Sequence, residues 1–285
     1  MAAIRRGRTG MTDTIDIGGI DVPRIGFGTL YVPVERGFGP ARPDAVKLLR
    51  EAARLGIGFF DTADSYGNGS AEAALREALH PYDGLVIATK GGFRHERPGA
   101  WVPDAEPARL RRALDGSLAR LGVERIDLYQ LHCTDRRYPY AELVGTLADL
   151  QRAGKIRHIG ISNVGVAEVE IARREAAIVS VQNPLNVRYR AGMDVLDHCA
   201  EHGIAFIPWM PLGDGSIRWT DPVLRRVAAK HGATAPQIAL AALLHLSPVM
   251  LPIPGTSSIA HLRENAAAGA VTLDADDLAA LWPGR

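Results

Sequence analysis

FFDTADSYGNGS, residues 59–70, decides how the rest of the chain reads. Two aromatics and an aspartate close what reads as a buried strand, and a polar loop punctuated by glycine follows with Tyr66 inside it. Ending a buried strand on Asp61 is costly unless the carboxylate meets a charged partner. The stretch therefore predicts both a strand-to-loop unit and a cation delivered from elsewhere.

Working outward, the same unit recurs. Residues 14–22 (TIDIGGIDV) alternate on both sides of Gly18-Gly19, a hairpin signal, and 24–30 reads as a short strand. From Pro43 the period changes to that of a helix ending at Gly56, before a strand over 58–61. Ser70 caps a helix to about His80, and LVIATK (85–90) is the next strand. Pro107 opens a helix with Leu110, Leu114, Leu118 and Leu121 on one face, and strand 126–131 follows. Helix 140–153 precedes strand 156–162, helix 166–175 precedes strand 178–182, and helix 193–202 precedes strand 204–209. Helices over 222–230 and 234–246 lead to a last strand, 249–253, and closing helices cover about 260–268 and 274–281. Eight strand–helix units in just over 250 residues match an α/β chain folded as a (β/α)8 TIM barrel, with an N-terminal β-hairpin and extra C-terminal helices. An open doubly wound sheet is the runner-up, but no G-x-G-x-x-G turn follows the first strand. Residues 1–13 read as a flexible tail and 14–285 as a single domain.

Composition narrows the function classes. The chain has 285 residues, is 47% apolar and carries a formal charge of +1, so no broad field draws it to nucleic acid or to an anionic membrane. Arg5, Arg6 and Arg8 precede no apolar core, so the start is not a secretory signal, and no stretch is long enough to span a bilayer. Two cysteines, Cys133 and Cys199, form no disulfide framework. These features predict a soluble, cytoplasmic protein.

In a barrel, chemistry gathers where strands end at their carboxyl side. Asp61 ends the second strand, Lys90 the third, His132 follows the fourth, Ser162-Asn163 the fifth, Gln182-Asn183 the sixth, Trp209 the seventh and residues 254–258 the eighth. Each alone has a plainer reading: Asp61 as a loop cap, Lys90 as a solvated strand end, His132 as a core histidine, Tyr66 as a loop aromatic. Together on one rim they read as a site. A metal is disfavoured, because a lysine would stand among the ligands and no HxH, HExxH or CxxC occurs. Lys90 as an imine former is chemically open, but a neighbouring Asp61 holds the amine charged, which favours an electrostatic role.

At these residues the sequence resembles the aldo-keto reductase family. FDTADSYGNG, VIATKGG, DLYQLHCTD, KIRHIGISN, VQNPLN, PWMPLG and IPGTSSIAHLREN stand in that family's order and spacing. The resemblance implies an NADP(H)-dependent oxidoreductase that transfers a hydride between cofactor and a small aldehyde or ketone. It implies Asp61, Tyr66, Lys90 and His132 as the catalytic group, with Tyr66 the general acid. Cofactor contacts are implied at Ser162, Asn163 and Gln182 (nicotinamide carboxamide), Trp209 (ring stacking), Pro211, Leu212 and Gly213 (pyrophosphate), Gly255, Thr256, Ser257 and His261 (2′-phosphate), and Glu264 and Asn265 (adenine). No metal and no obligate protein partner are implied.

The sequence also departs from that family. Many members carry lysine where Gly255 stands and arginine where His261 stands, both suited to a 2′-phosphate; Arg263 is the available replacement. Tyr31, Phe93, Trp101 and Trp219 are expected as pocket walls. Residues 91–104, with Arg94 and Arg97, form the loop expected to select substrate. Two alternatives stay open at this point: a nucleotide-sensing subunit of the same fold that does not turn over, and a lyase using Lys90.

Overall fold

The computed structural model describes residues 14–32, 42–95 and 100–285. The tail expected over 1–13 and Arg97 lie outside the described residues. The chain opens on an antiparallel hairpin, β1 (Thr14–Asp16) and β2 (Asp21–Pro23), with Ile15 opposite Val22. Next come β3 (Phe27–Gly28), α1 (Arg42–Arg54), β4 (Phe59–Asp61), a 3₁₀ turn (Tyr66–Gly69), α2 (Ser70–Leu79) and β5 (Val86–Gly91). A second hairpin, β6 (Phe93–His95) with β7 (Trp101–Pro103), interrupts the alternation. It resumes with α3 (Pro107–Leu121), β8 (Ile126–Leu131), α4 (Tyr140–Arg152), β9 (Ile156–Ser162), α5 (Val166–Glu175), β10 (Ile178–Pro184), α6 (Met193–Glu201) and β11 (Ala205–Trp209). Four helices complete the chain: α7 (Pro222–His231), α8 (Ala235–Leu246), α9 (Ile259–Ala267) and α10 (Ala275–Leu281).

Seven strands form one parallel sheet in the order β11-β10-β9-β8-β5-β4-β3. The two-residue period of a strand sorts the side chains. Phe59, Val86, Ala88, Leu128, Ala205 and Ile207 pack with Ile15, Ile17 and Val22 of the first hairpin, which stoppers one end of the barrel. Phe60, Ile87, Tyr129 and Phe206 alternate with them and pack with the helix faces. One step further along, the inward positions turn polar: Asp61, Lys90 and Gln130, the last two paired in register. The interior is thus a filled barrel with its polar layer at the carboxyl end.

The expected eighth strand, 249–253, is not a regular strand. It still spans the two sheet edges: the Phe206 N–H donates to the Val249 carbonyl at 2.7 Å, Leu251 N–H to Phe206 at 2.9 Å, and Gly26 N–H to Pro252 at 3.0 Å. Pro252 and Pro254 have no N–H to donate, so a continuous ladder cannot form. Arg24 steadies the approach, its guanidinium donating to the Leu244 carbonyl at 2.8 Å and the Ser247 carbonyl at 2.5 Å. The closure is tight enough to require glycine on both sides. A Cβ on Gly28 would lie 2.7 Å from the Ile253 carbonyl oxygen, and one on Gly255 would lie 2.7 Å from that of Gly28.

Candidate active site

Asp61 enters on β4, Lys90 on β5, Gln130 on β8 and His132 just after it, while Tyr66 opens the 3₁₀ turn after β4. That turn keeps three successive residues left-handed, Gly67, Asn68 and Gly69, at φ 56°, 52° and 86°. Glycine and asparagine tolerate this best, which is why YGNG can fold the tyrosine back over the barrel mouth.

The Lys90 ammonium is fully buried and donates to Asp61 Oδ1 at 2.5 Å and to the Thr62 carbonyl at 2.9 Å. Tyr66 Oη lies 3.4 Å from the same nitrogen, a long contact. The other carboxylate oxygen of Asp61 accepts from Gln130 Nε2 at 3.0 Å and Gln182 Nε2 at 2.9 Å. The charge of Asp61 is therefore satisfied on both oxygens, as a buried carboxylate requires. Burial pulls the Lys90 ammonium down, but attraction to Asp61 and then Tyr66 outweighs it, and the net shift is upward. For Tyr66 burial dominates and raises the pKa despite the opposing pull of Lys90. Lys90 thus lessens a rise that burial imposes, and the phenol's net shift is upward. His132 is pushed well below its ordinary range by burial and by Lys90, so its ring is neutral, and its Nδ1 is buried without a partner.

Asp61, Tyr66, His132 and Gln182 border a cavity of about 390 Å³, with Lys90 and Gln130 behind them. Its walls include Tyr31, Phe93, Trp101, Trp209, Met210 and Ile253. Phe93 and Trp101 come from the second hairpin, and Phe93 stands edge-on to His132 with centroids 4.8 Å apart. Trp219, expected as a wall, does not line the cavity; it is exposed on the segment before α7.

Of the remaining residues named from sequence, Ser162, Asn163, Gln182, Trp209, Pro211, Leu212, Gly213 and Gly255 all border this cavity. Asn163 is left-handed at φ 60°, held by Nδ2 donating to the His132 carbonyl (2.9 Å) and by Oδ1 accepting from Trp209 Nε1 (3.0 Å). Thr256, Ser257, His261, Glu264 and Asn265 lie beyond it, on the approach to α9 and along α9. Ser258 caps that helix, accepting the His261 N–H at 3.4 Å. Arg263 is committed elsewhere: it pairs with Glu51 at 2.9 Å, and Arg54 and Arg263 together hold that carboxyl down at about 2.

A sequence model described as the aldo/keto reductase family matches residues 24–282. The chain belongs to the aldo/keto reductase family. It is 42% identical over 270 residues to an uncharacterized oxidoreductase of Schizosaccharomyces pombe, covering 94% of this chain and 88% of that one. It is 40% identical over 279 residues to the pyridoxine 4-dehydrogenase of Escherichia coli, covering 95% and 97%. An aldo/keto reductase from Klebsiella pneumoniae solved with NADP and acetate superposes with a TM-score of 0.82 at 29% identity, covering 94% and 93%. As an aldo/keto reductase the chain is an oxidoreductase, and its barrel is that of its solved neighbours.

Two features escaped sequence reading. Gln130 is a lone buried amide in the apolar strand IDLYQL, and that oddity was its only signal. Behind Tyr66, Asp64 is buried and its carboxyl is pushed up to about 7, first by burial and then by Glu72. Nothing local in DTADS distinguishes it.

Proposed function

We propose that this aldo/keto reductase is an NADPH-dependent carbonyl reductase in which Tyr66 is the general acid. The observation that carries the reading is Tyr66, Asp61 and His132 lining one cavity, with the buried Lys90 ammonium bonded to Asp61 and 3.4 Å from Tyr66. The residues present fit NADP(H). Ser162, Asn163 and Trp209 border the cavity, fixed by hydrogen bonds to one another and to the Gln182 and His132 carbonyls, and Gln182, with Nε2 on Asp61, keeps Oε1 as an acceptor. The capped start of α9 offers backbone N–H groups to a phosphate. NADP(H), when bound, supplies or takes up the hydride.

The chain's own groups handle the proton. A carbonyl resists hydride until its oxygen is protonated or polarised, and Tyr66 delivers that proton. Burial keeps the phenol protonated until it is needed, and the Lys90 ammonium then steadies the phenolate left behind. Asp61, anchored by Gln130 and Gln182, keeps Lys90 charged and in place. The neutral His132 ring orients the carbonyl oxygen through an N–H without adding charge.

The walls bear on the substrate. Phe93, Trp101 and Tyr31 favour a flat, weakly charged ring, and the Escherichia coli relative is named for a pyridine alcohol. A heteroaromatic aldehyde such as pyridoxal is the proposed substrate. Following NADPH consumption with pyridoxal and a panel of aliphatic aldehydes tests this: turnover fastest on aromatic aldehydes supports it, and nucleotide binding without turnover refutes it.

A further inference from the structure

Away from the cavity, Glu170 of α5 stands near His198 of α6 and His202 at that helix's C-terminal cap, and one ligand atom from each lies within 4.8 Å of the others. The two histidines are four apart, so they stack on one helix face, their ring centroids 4.3 Å apart. His202 Nδ1 lies 2.8 Å from the His198 carbonyl oxygen. A carbonyl only accepts, so in the neutral ring Nδ1 carries the hydrogen and Nε2 keeps its lone pair free for a ligand. This is the outer hydrogen bond that metal-bound histidines use to fix their tautomer. His198 Nε2 stands 2.8 Å from Glu170 Oε1, so those two groups share one proton.

We propose that Glu170, His198 and His202 form a surface site for a borderline divalent transition-metal ion, with zinc as its probe, which clips α5 to α6. Zinc takes nitrogen at about 2.0–2.1 Å and carboxylate oxygen at about 2.0–2.2 Å, so two ligand atoms of a tetrahedral site stand about 3.3 Å apart. The present triangle, no side longer than 4.8 Å, reaches this by contraction toward His202 and a small opening between His198 and Glu170, now 2.8 Å apart. Binding through His198 Nε2 moves that ring's hydrogen to Nδ1 and breaks the bond to Glu170, and water fills the fourth position. Arg173 also pairs with Glu170 through the same oxygen and competes with the ion. The spacing His198-x-x-x-His202 on a helix was visible in the sequence, but the third ligand comes from another helix, 28 residues earlier.

Calorimetric titration of the metal-stripped full chain with zinc chloride tests the site. One saturable equivalent is expected. His202→Ala and Glu170→Gln should each weaken binding by at least about tenfold, and Arg173→Gln should tighten it. Zinc should also raise the Tm of the parent but not of His202→Ala. Unsaturable binding up to about 1 mM, or equal affinity in the parent and both ligand variants, would overturn the proposal.

Discussion

Replacing Asp61 with asparagine keeps shape and removes one charge at the most constrained point of the molecule. The Lys90 ammonium is fully buried, and its remaining neighbours would be the Thr62 carbonyl at 2.9 Å and the Tyr66 hydroxyl at 3.4 Å. Removing one partner of a buried ion pair costs about 3–5 kcal/mol, because the other charge is left uncompensated. In a chain of this size that lowers Tm by about 5–8 °C. The pH dependence carries the signature. In the parent the Lys90 pKa is raised, so its contribution is full below the unfolded value and falls away as pH rises through the folded one. In Asp61→Asn burial is opposed only by Tyr66 and depresses that pKa, so the variant regains stability as pH rises and the Tm gap narrows. Thermal unfolding by circular dichroism at neutral pH and near pH 10 reads both effects. Asp61→Asn/Lys90→Met, which removes both charges, should recover most of the stability yet stay inactive. A Tm for Asp61→Asn equal to the parent, or a double variant no more stable than the single, would refute the reasoning.

Gly255→Ala should lower Tm, because its Cβ would press 2.7 Å from the Gly28 carbonyl, and Gly255→Lys should fail to tighten NADPH in a fluorescence titration. Asp64→Asn should stabilise the chain above pH 7 by roughly 1–3 kcal/mol. The folded Asp64 carboxyl titrates near 7, above its unfolded value, so the parent loses stability as pH rises between about 4 and 7. The difference between parent and variant should vanish near pH 3, which denaturant melts at each pH will check. Trp101→Ala, which removes an edge contact 6.0 Å from the Tyr66 ring, should raise KM for aromatic aldehydes by roughly 10-fold or more with kcat little changed. Steady-state kinetics against an aliphatic aldehyde, expected to change less, provide the control.

Most strand and helix positions were legible because each buried strand is a short apolar run and glycine ends several of the helices, as Gly122 ends α3. Strands 126–131 and 156–162 and helix 166–175 match their sequence-read bounds. The rest depended on pairing that no single segment reveals. The eighth strand lost its ladder because Pro252 and Pro254 sit where donors are required. The hairpin Phe93–His95 with Trp101–Pro103 was hidden within the charged, proline-containing stretch HERPGA, which reads as loop. The convergence of Asp61, Lys90 and His132 on one rim followed from strand counting. The grip of Gln130 and Gln182 on Asp61 did not, since it joins residues 69 and 121 positions apart.

The most direct measurement is turnover of Tyr66→Phe with NADPH and an aromatic aldehyde, beside its NADPH affinity. Keeping the ring and deleting only the hydroxyl should cut kcat by roughly 10²–10⁴, the usual loss for a missing general acid, while cofactor affinity holds. Turnover equal to the parent would show that the proton comes from another group, and the account of this site would be wrong.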